Sequence, residues 1–449
     1  MNKKIISFVL VSALLSGTVP AVYHPDFAVH AEEVTEAETK NYNDFAYQIS
    51  DNQVIIIGYA KSNLLYWSNT KSEYIYRDKE FDEAVIIPEE IEGLPVTAVG
   101  DRAFLRSAFG TVQIPDSVER IGDGAFTGCG NLTEIQFPSA LTSIGNSAFS
   151  GCLSLTEVRI PDFVTELGDS IFYNCRNLKK AVLPSQTEKI PDGTFNACYA
   201  LEYPDFPNNV KIIGHGAFES CWNLQNFAIP SSVVSIESSA FAGCRKNLTE
   251  ITIPETVTEF GEDVFGNCPN LKTVTLPENM TKIPFAMFNS TGIEKIIIPE
   301  SVQNIDYFAF ALCKNLKGIT ILNPDCEIAV SSTGMGFTLS TGANAETAKE
   351  YFNGIIYGYE NSTAQEYAEQ FGFKFEALDA PPLDAGDIDG SQNIDILDVI
   401  TLNKAILGKE ILSEREVAAI DFNRNGVPDS EESLTLMKYI VGLTESLTA

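Results

Sequence analysis

Gly145-Asn-Ser-Ala-Phe-Ser-Gly-Cys-Leu-Ser-Leu-Thr-Glu-Val-Arg-Ile-Pro-Asp-Phe-Val-Thr-Glu-Leu167 is one turn of a pattern that returns about ten times. Its phenylalanine recurs at Phe104, Phe126, Phe149, Phe172, Phe195, Phe218, Phe241, Phe265, Phe288 and Phe310, at intervals of 22, 23, 23, 23, 23, 23, 24, 23 and 22 residues. A fixed period in this range marks a solenoid, whose units share a core because none can bury its apolar face alone. Written Gly-x-x-Ala-Phe-x-x-Cys-x-x-Leu-x-x-Ile-x-Ile-Pro-x-x-Val-x-x-Ile, the unit has two halves. The Leu-x-x-Ile-x-Ile segment (Leu132, Ile135, Phe137; Leu271, Val274, Leu276) alternates as a strand with one buried face does. The proline that follows (Pro138, Pro161, Pro184 and their counterparts) has no N–H for the next rung, so it ends the strand. A short Val-x-x-Ile run and a turn then lead to the Ala-Phe pair, which carries a buried ring. Strands ~4.8 Å apart place ten units in a rod roughly 50 Å long.

The irregular intervals have visible causes. Arg245-Lys246 puts one extra residue between Cys244 and Leu248, and in the repeats of Phe104 and Phe288 the next core residue, Phe109 or Ile293, comes one residue early. Those two repeats carry Ser107 and Thr291 at the cysteine position. Length thus varies in the turn after that position and leaves the strand intact. Period, Ala-Phe, Cys-x-x-Leu and Ile-Pro together resemble the BspA-like class of leucine-rich repeats, over roughly residues 43–378. That resemblance implies a curved, non-catalytic solenoid on a bacterial surface or secreted protein, binding proteins or surfaces.

With 30 basic and 61 acidic residues the chain has a formal charge of −31. Nucleic acid and anionic membranes need a basic footprint, so neither is expected as a partner. Residues 1–31 read as a secretory signal: Lys3-Lys4, then an apolar run from Ile5 to Leu15, then small-residue cleavage sites after Ala21 or Ala31. That run is too short to span a bilayer, and no integral membrane segment is expected. Residues 32–42 are acidic and expected to be disordered. Eight of the nine cysteines stand three residues after a repeat phenylalanine, from Cys129 to Cys313. Neighbours in such a column point the same way, which is poor disulfide geometry, so a ladder of buried thiols is expected. Cys326 stands outside it.

The solenoid needs caps. Gln53-Val-Ile-Ile-Ile-Gly58 after the Asp51-Asn52 turn predicts a hairpin over 45–59 that covers the first repeat. The period lapses after Leu322; a helix from Ser362 to Gln370, stopped by Gly372, and a strand at Phe373-Lys-Phe375 are expected to close the other end. Residues 379–383 form a Pro-Pro linker.

Beyond the linker, residues 384–445 read as a second, small all-α domain built on a duplication. Asp387, Asp389, Ser391, Asn393, Asp395 and Asp398 fall at positions 1, 3, 5, 7, 9 and 12 of a twelve-residue loop. Asp421, Asn423, Asn425, Val427, Asp429 and Glu432 repeat the pattern thirty-four residues later. Calcium takes six or more hard oxygen ligands, and this spacing wraps them round one ion, with position 7 offering its backbone carbonyl. Two calcium ions are therefore expected, each loop leading into an amphipathic helix, Val399 to Leu407 with Lys404 and Ser433 to Val441 with Lys438. The pair resembles a type I dockerin, a family that docks calcium-loaded onto a cohesin module of a scaffoldin, the backbone of a cellulosome. Gln392 stands where the family has glycine, and Ser391 is a weak ligand. The resemblance places cohesin contacts at loop positions 10 and 11, Ile396-Leu397 and Ser430-Glu431, with Lys404 and Lys438 on the helices. Because the two dipeptides differ, one docking face is expected to dominate.

Catalytic constellations are scarce. Removal of the signal leaves one histidine, His215, in a turn where other repeats carry Asp123, Asn146 and Asp169. With nothing nearby to orient it, a surface turn residue is the simpler reading. The leading reading is a secreted, non-catalytic cellulosome component. The rival is a dockerin-borne carbohydrate-active enzyme with paired carboxylates on the solenoid. The outward residues of the predicted strands, Gln136, Arg159, Val182, Asp205, Ala228, Thr252, Thr275, Ile297 and Thr320, include no aromatic platform for sugars. Trp222, Tyr199 and Tyr203 remain as an edge patch.

Overall fold

The computed structural model describes residues 39–59, 65–68, 73–76, 82–330, 338–343, 350–378, 385–391, 393–412, 414–422, 427–444 and 447. It is a β-solenoid of about 12 turns with a period near 23 residues, followed by a few short helices. The secretory signal, most of the acidic segment and the linker lie outside the described residues. Lys40–Tyr42, expected to be disordered, is a strand paired antiparallel with Phe45–Tyr47, which corrects that boundary.

The ten repeat phenylalanines stack along the axis. Consecutive rings lie 5.0–5.9 Å apart with interplanar angles of 1–26°. Burying a column of aromatic rings against aliphatic neighbours is the main hydrophobic gain of each added turn. The chain reverses on both sides of each ring through left-handed backbone, two residues before and two after the phenylalanine. Gly124 and Gly128 do this around Phe126, and Asp263 and Asn267 around Phe265.

Two strand columns flank the rings. The predicted Leu-x-x-Ile-x-Ile strands pair in parallel as Asp82–Ile86 with Phe109–Gln113, Glu157–Arg159 with Lys180–Val182, and Glu250–Thr252 with Thr273–Thr275. Lys295–Ile298, Gly318–Ile321, Ile355–Gly358 and Lys374–Ala377 follow as one four-stranded sheet. Three repeats form no strand there, and each has phenylalanine at an inward strand position: Phe137, Phe206 and Phe227. Their rings stay half-buried and pack edge-on or tilted against Phe149, Phe218 and Phe241 at 5.1–5.8 Å. The extra bulk interrupts the ladder, of which the Phe206 segment keeps only an isolated bridge between Val182 and Asp205. Pro204 and Pro207 also remove two N–H groups from the Phe206 segment.

The second column is the Val-x-x-Ile run, as two-residue parallel strands such as Arg120–Ile121, Ser143–Ile144 and Glu166–Leu167. It breaks twice. In intact turns the next N–H reaches back one repeat, as Gly168 to Ile144 O and Gly261 to Ile236 O, both 2.8 Å. Pro191 and Pro284 occupy that position at the two breaks and have no N–H to give.

Further elements stand at both ends of the repeats. Phe45–Ser50 and Gln53–Tyr59 make the hairpin, with Asp51 and Asn52 both left-handed, and Gln53–Tyr59 pairs with Leu94–Val99. At the other end α1, Thr363–Phe371, starts at Ser362, whose side chain accepts the Gln365 N–H, and ends at left-handed Gly372. Lys374–Ala377 closes the sheet.

Candidate metal centre and solenoid surfaces

In the small domain α2 (Ile396–Ile406) packs with α4 (Ser430–Ile440), and α3 (Glu414–Ile420) lies between them in sequence. Both loop helices begin three residues earlier than their sequence pattern suggests. Asp395 and Asp429, at position 9 of each loop, are their N-caps, and Asp398 and Glu432 complete capping boxes by accepting the N-cap backbone N–H. Position 12 is thus fixed twice, as helix residue and as loop closure. The helix α3 was not anticipated: seven residues are too few for a periodic signal.

In the first loop the carboxylates of Asp387, Asp389 and Asp398 converge, with one oxygen from each within 4.8 Å of the others. Asp398 is fully buried and accepts the N–H of Ile388 at 2.7 Å and of Asp395 at 2.8 Å. The Ser391 N–H points to Asp387 and Asp389, both at 3.0 Å, and its hydroxyl donates to the Asn393 carbonyl. In the second loop Glu432 is buried, and its Oε1 has no hydrogen-bond partner among the described residues. Burial first, and then the charges of Asp429, Asp421 and Glu431, push the Glu432 carboxyl above its usual range. Buried acids gathered this way repel one another unless a cation joins them, and hard oxygen donors suit calcium. Asn423, Asn425 and Gln392 lie outside the described residues.

Ile396, Leu397 and Ile400 stand 44–54 % exposed along α2. The matching positions of α4 are Ser430, Glu431 and Leu434, so the apolar strip is interrupted there. Lys404 and Lys438 are in the last turns of their helices, and Lys404 pairs with Glu410 at 3.4 Å.

On the solenoid, each of the eight ladder thiols donates to the carbonyl of a phenylalanine one repeat earlier, at 3.1–3.5 Å. All nine cysteines are free and buried, and burial pushes the Cys175 thiol up to about 12. His215 sits in a side-chain ladder in which Asp101, Asp123, Asn146, Asp169 and Asp192 each accept the N–H one turn on. It ends that run, its backbone N–H shared by Asp192 and Glu237, and its side chain lies close enough to Glu219 for its charge to act on that carboxyl. Glu219 and Asp263, which no motif marked, are the perturbed acids: burial raises Glu219, while burial and then the charges of Glu219 and Glu262 push Asp263 up to about 6.

The strand face corrects one expectation. Pairing continues beyond Leu322, and Thr320 is followed on that face by Tyr357, so the outward column does contain an aromatic ring. On the turn edge, the Tyr199 and Trp222 rings stack at 4.0 Å and 10°. Arg176 covers the far face of Tyr199 at 5.3 Å, and Lys246 lies 5.9 Å from Trp222. Trp222 Nε1 and Arg245 Nε are buried without acceptors among the described residues, at a cost of about 1–3 kcal/mol each.

The family described as the BspA type leucine rich repeat region matches residues 97–225 and 211–329 in six copies, together more than half of the chain. The chain belongs to the BspA-type leucine-rich repeat proteins. The dockerin type I domain matches residues 385–441, so this BspA-type solenoid carries a type I dockerin at the double loop. A leucine-rich repeat protein from Bacteroides ovatus ATCC 8483 is 24 % identical over 78 % of this chain and 100 % of its own, with a TM-score of 0.51, a likeness of fold. A leucine rich cell surface protein from Faecalibacterium prausnitzii A2-165 is 22 % identical over 69 % and 99 % of the two chains, TM-score 0.41. A Leucine Rich Repeat protein of T. pallidum is 30 % identical over 52 % and 91 %, TM-score 0.35. No curated protein matches. Among the described residues no helix is long and apolar enough to cross a membrane.

Proposed function

We propose that this is a secreted, non-catalytic component of a cellulosome, held by its dockerin while the BspA-type solenoid presents a binding face. Residues 1–31 direct export and are removed. Two calcium ions complete the loops, one held by Asp387, Asp389, Ser391, Asn393, Asp395 and Asp398, the other by Asp421, Asn423, Asn425, Val427, Asp429 and Glu432. Their ligation fixes the starts of α2 and α4 and so the surface offered to a cohesin.

The observation that carries this reading is the exposed strip Ile396-Leu397-Ile400 on a helix whose first turn is capped by the acidic loop itself. Exposed apolar side chains on so small a domain favour an interface. Ser430 and Glu431 interrupt the equivalent strip on α4, so the α2 face dominates, with Lys404 and Lys438 at the rims.

The test is a titration of the full chain against cohesin modules, with calcium and then with chelator. Tight binding that chelation abolishes is expected. Replacing Ile396-Leu397 by Ser-Glu should weaken it by at least about tenfold, since two apolar anchors are removed. Undiminished binding by that variant would refute the dominance of the α2 face. Failure to bind any cohesin in calcium would refute the docking role.

A further inference from the structure

We propose that the cavity at the C-terminal end of the solenoid, between Lys314, Lys317, Lys374 and Tyr351, binds a sugar carrying a phosphate monoester. This goes beyond the docking role and does not depend on it.

The sign of the lining is the first support. The cavity measures about 660 Å³, and its walls hold three lysines and no carboxylate. The chain has twice as many acids as bases, and other cavities reflect that balance. The one at the first strand pair is lined by Glu89, Asp116 and Glu134 without a base, and the one beside α1 by Asp306, Glu327 and Glu366 without a base. A third, around Tyr357, has Glu278 and Lys295. A lining of reversed sign in such company fits an anionic ligand. Lys317 is also bonded to Glu294 at 2.7 Å, which leaves the three ammonium groups a net charge of about +2 for a ligand. A phosphate monoester, at about −1.5 to −2 near neutral pH, matches that better than a single carboxylate does. Lysine meets it as a point charge and needs no planar fork.

The second support is the additional chain that builds one wall. Gly318 and its ladder partner Ile355 stand 37 residues apart against a period near 23, yet their strands stay in register. Within that length Thr338 and Ser340 continue the turn ladder, their carbonyls accepting from Phe310 and Cys313 at 2.9 Å. Gly342–Ala343 and Glu350–Tyr351 do not: among the described residues they pair with each other and with no repeat strand. This arm brings Thr341, Gly342, Tyr351 and Asn353 to the cavity. An arm that adds no rung to the solenoid and walls a basic cavity is better explained by a ligand than by stability.

The third support separates a sugar phosphate from a bare anion. Tyr351 is 44 % exposed, and its phenol end rests on Gly342, where a Cβ would meet Cζ at 2.8 Å. A ring held in this way and still open to solvent offers a flat apolar surface to the C–H side of a sugar. The exposed amides of Asn315 and Asn353 share the lining and supply donors and acceptors for hydroxyl groups. Lys374 lies opposite Ile355 in the ladder, and the Ile355 N–H donates to the Lys317 carbonyl at 2.9 Å. The two lysines therefore flank one strand, ~10 Å apart at ladder spacing, within reach of a shared phosphate.

The experiment is calorimetric titration of the full chain with glucose 6-phosphate, in chelator so that no calcium bridges phosphate to the dockerin. Glucose, inorganic phosphate, glucuronate and phosphoserine are titrated alongside. Glucose 6-phosphate is expected to bind at least about tenfold more tightly than each of these. The exposed pair Lys314→Gln with Lys374→Gln should weaken it roughly tenfold or more, the scale of two lost charge-assisted contacts. Tyr351→Leu should bring it down towards the affinity of inorganic phosphate. An unchanged melting temperature in each variant guards against a misfolded cap, and Lys314→Arg, which keeps the charge, should retain binding. No binding of glucose 6-phosphate, equal affinity for inorganic phosphate or glucuronate, tighter binding of phosphoserine, or unchanged affinity in the double variant would each overturn the proposal. Cohesin titration in calcium is a separate readout, so failure here leaves the docking role standing.

Discussion

A thiol at the ladder position does more than a methyl group would. The Phe126 carbonyl accepts the Cys129 N–H from its own turn and the Cys152 S–H from the next, so both lone pairs of a buried acceptor are used. The sequence spacing is enough to predict the burial of these cysteines and their lack of disulfides, but not this donor role, because the acceptor lies one repeat away. Asp263 is the opposite case, a residue whose charge works against the fold. Its folded pKa of about 6 exceeds that of an unfolded aspartate, ~3.9, so the folded state binds the proton more tightly. Stability from this group is complete below about pH 4 and is lost as pH rises through about 6. Asparagine keeps the shape and tolerates the left-handed backbone found there. Asp263→Asn should therefore stabilise by about 1–2 kcal/mol at about pH 8, allowing for partial solvent screening, by about half of that at about pH 5, and hardly at all below about pH 4. Thermal melts at these pH values decide it; an equal gain throughout would show that charge is not the cause.

At the scale of elements, two residue types decide where strands pair. Phe137, Phe206 and Phe227 leave their segments outside the outer column, and Pro191 and Pro284 cut the inner one. Hydrogen exchange should expose this: amides 134–137 and 226–229 should exchange well before 158–160 and 251–253, although all lie inside the solenoid. Uniform protection along the four segments would refute the assignment of the breaks to ring bulk. The outer strands were legible because their alternation runs over six residues. The inner ones span two, below any detectable period, and only the stacked backbone makes them strands. Both loops were legible from oxygen spacing, whereas the early starts of α2 and α4 were not, because Asp395 and Asp429 serve at once as loop residues and helix caps. The continuation of the sheet through Tyr357 was hidden by the irregular residues after Leu322.

At the scale of the whole molecule, the buried apolar residues among those described form two clusters of very unequal size. One runs unbroken from Phe45 to Ala368 through the ring stack; the other consists of Ile388, Val399, Leu402, Ile420, Leu436 and Leu447 with a few half-buried neighbours. A core that small supplies little free energy for some sixty residues, and its loops gather like charges that oppose folding in the absence of a cation. Ion binding then contributes directly to folding, since the ligands are not assembled in the unfolded chain. The solenoid has no such dependence, because its turns are held by rings and ladder hydrogen bonds. Leu447 adds a second constraint: it packs so closely on left-handed Gly386 that a Cβ there would meet it at 2.4 Å, joining the two ends of the dockerin. Calorimetry of the full chain in calcium should show two transitions. Chelator should abolish the smaller and leave the larger within about a degree, while Leu447→Ala should lower only the smaller, by about 2–4 kcal/mol. If chelation instead moved a single transition of the whole chain, the two cores would fold as one unit, and calcium would govern the solenoid as well as the dock.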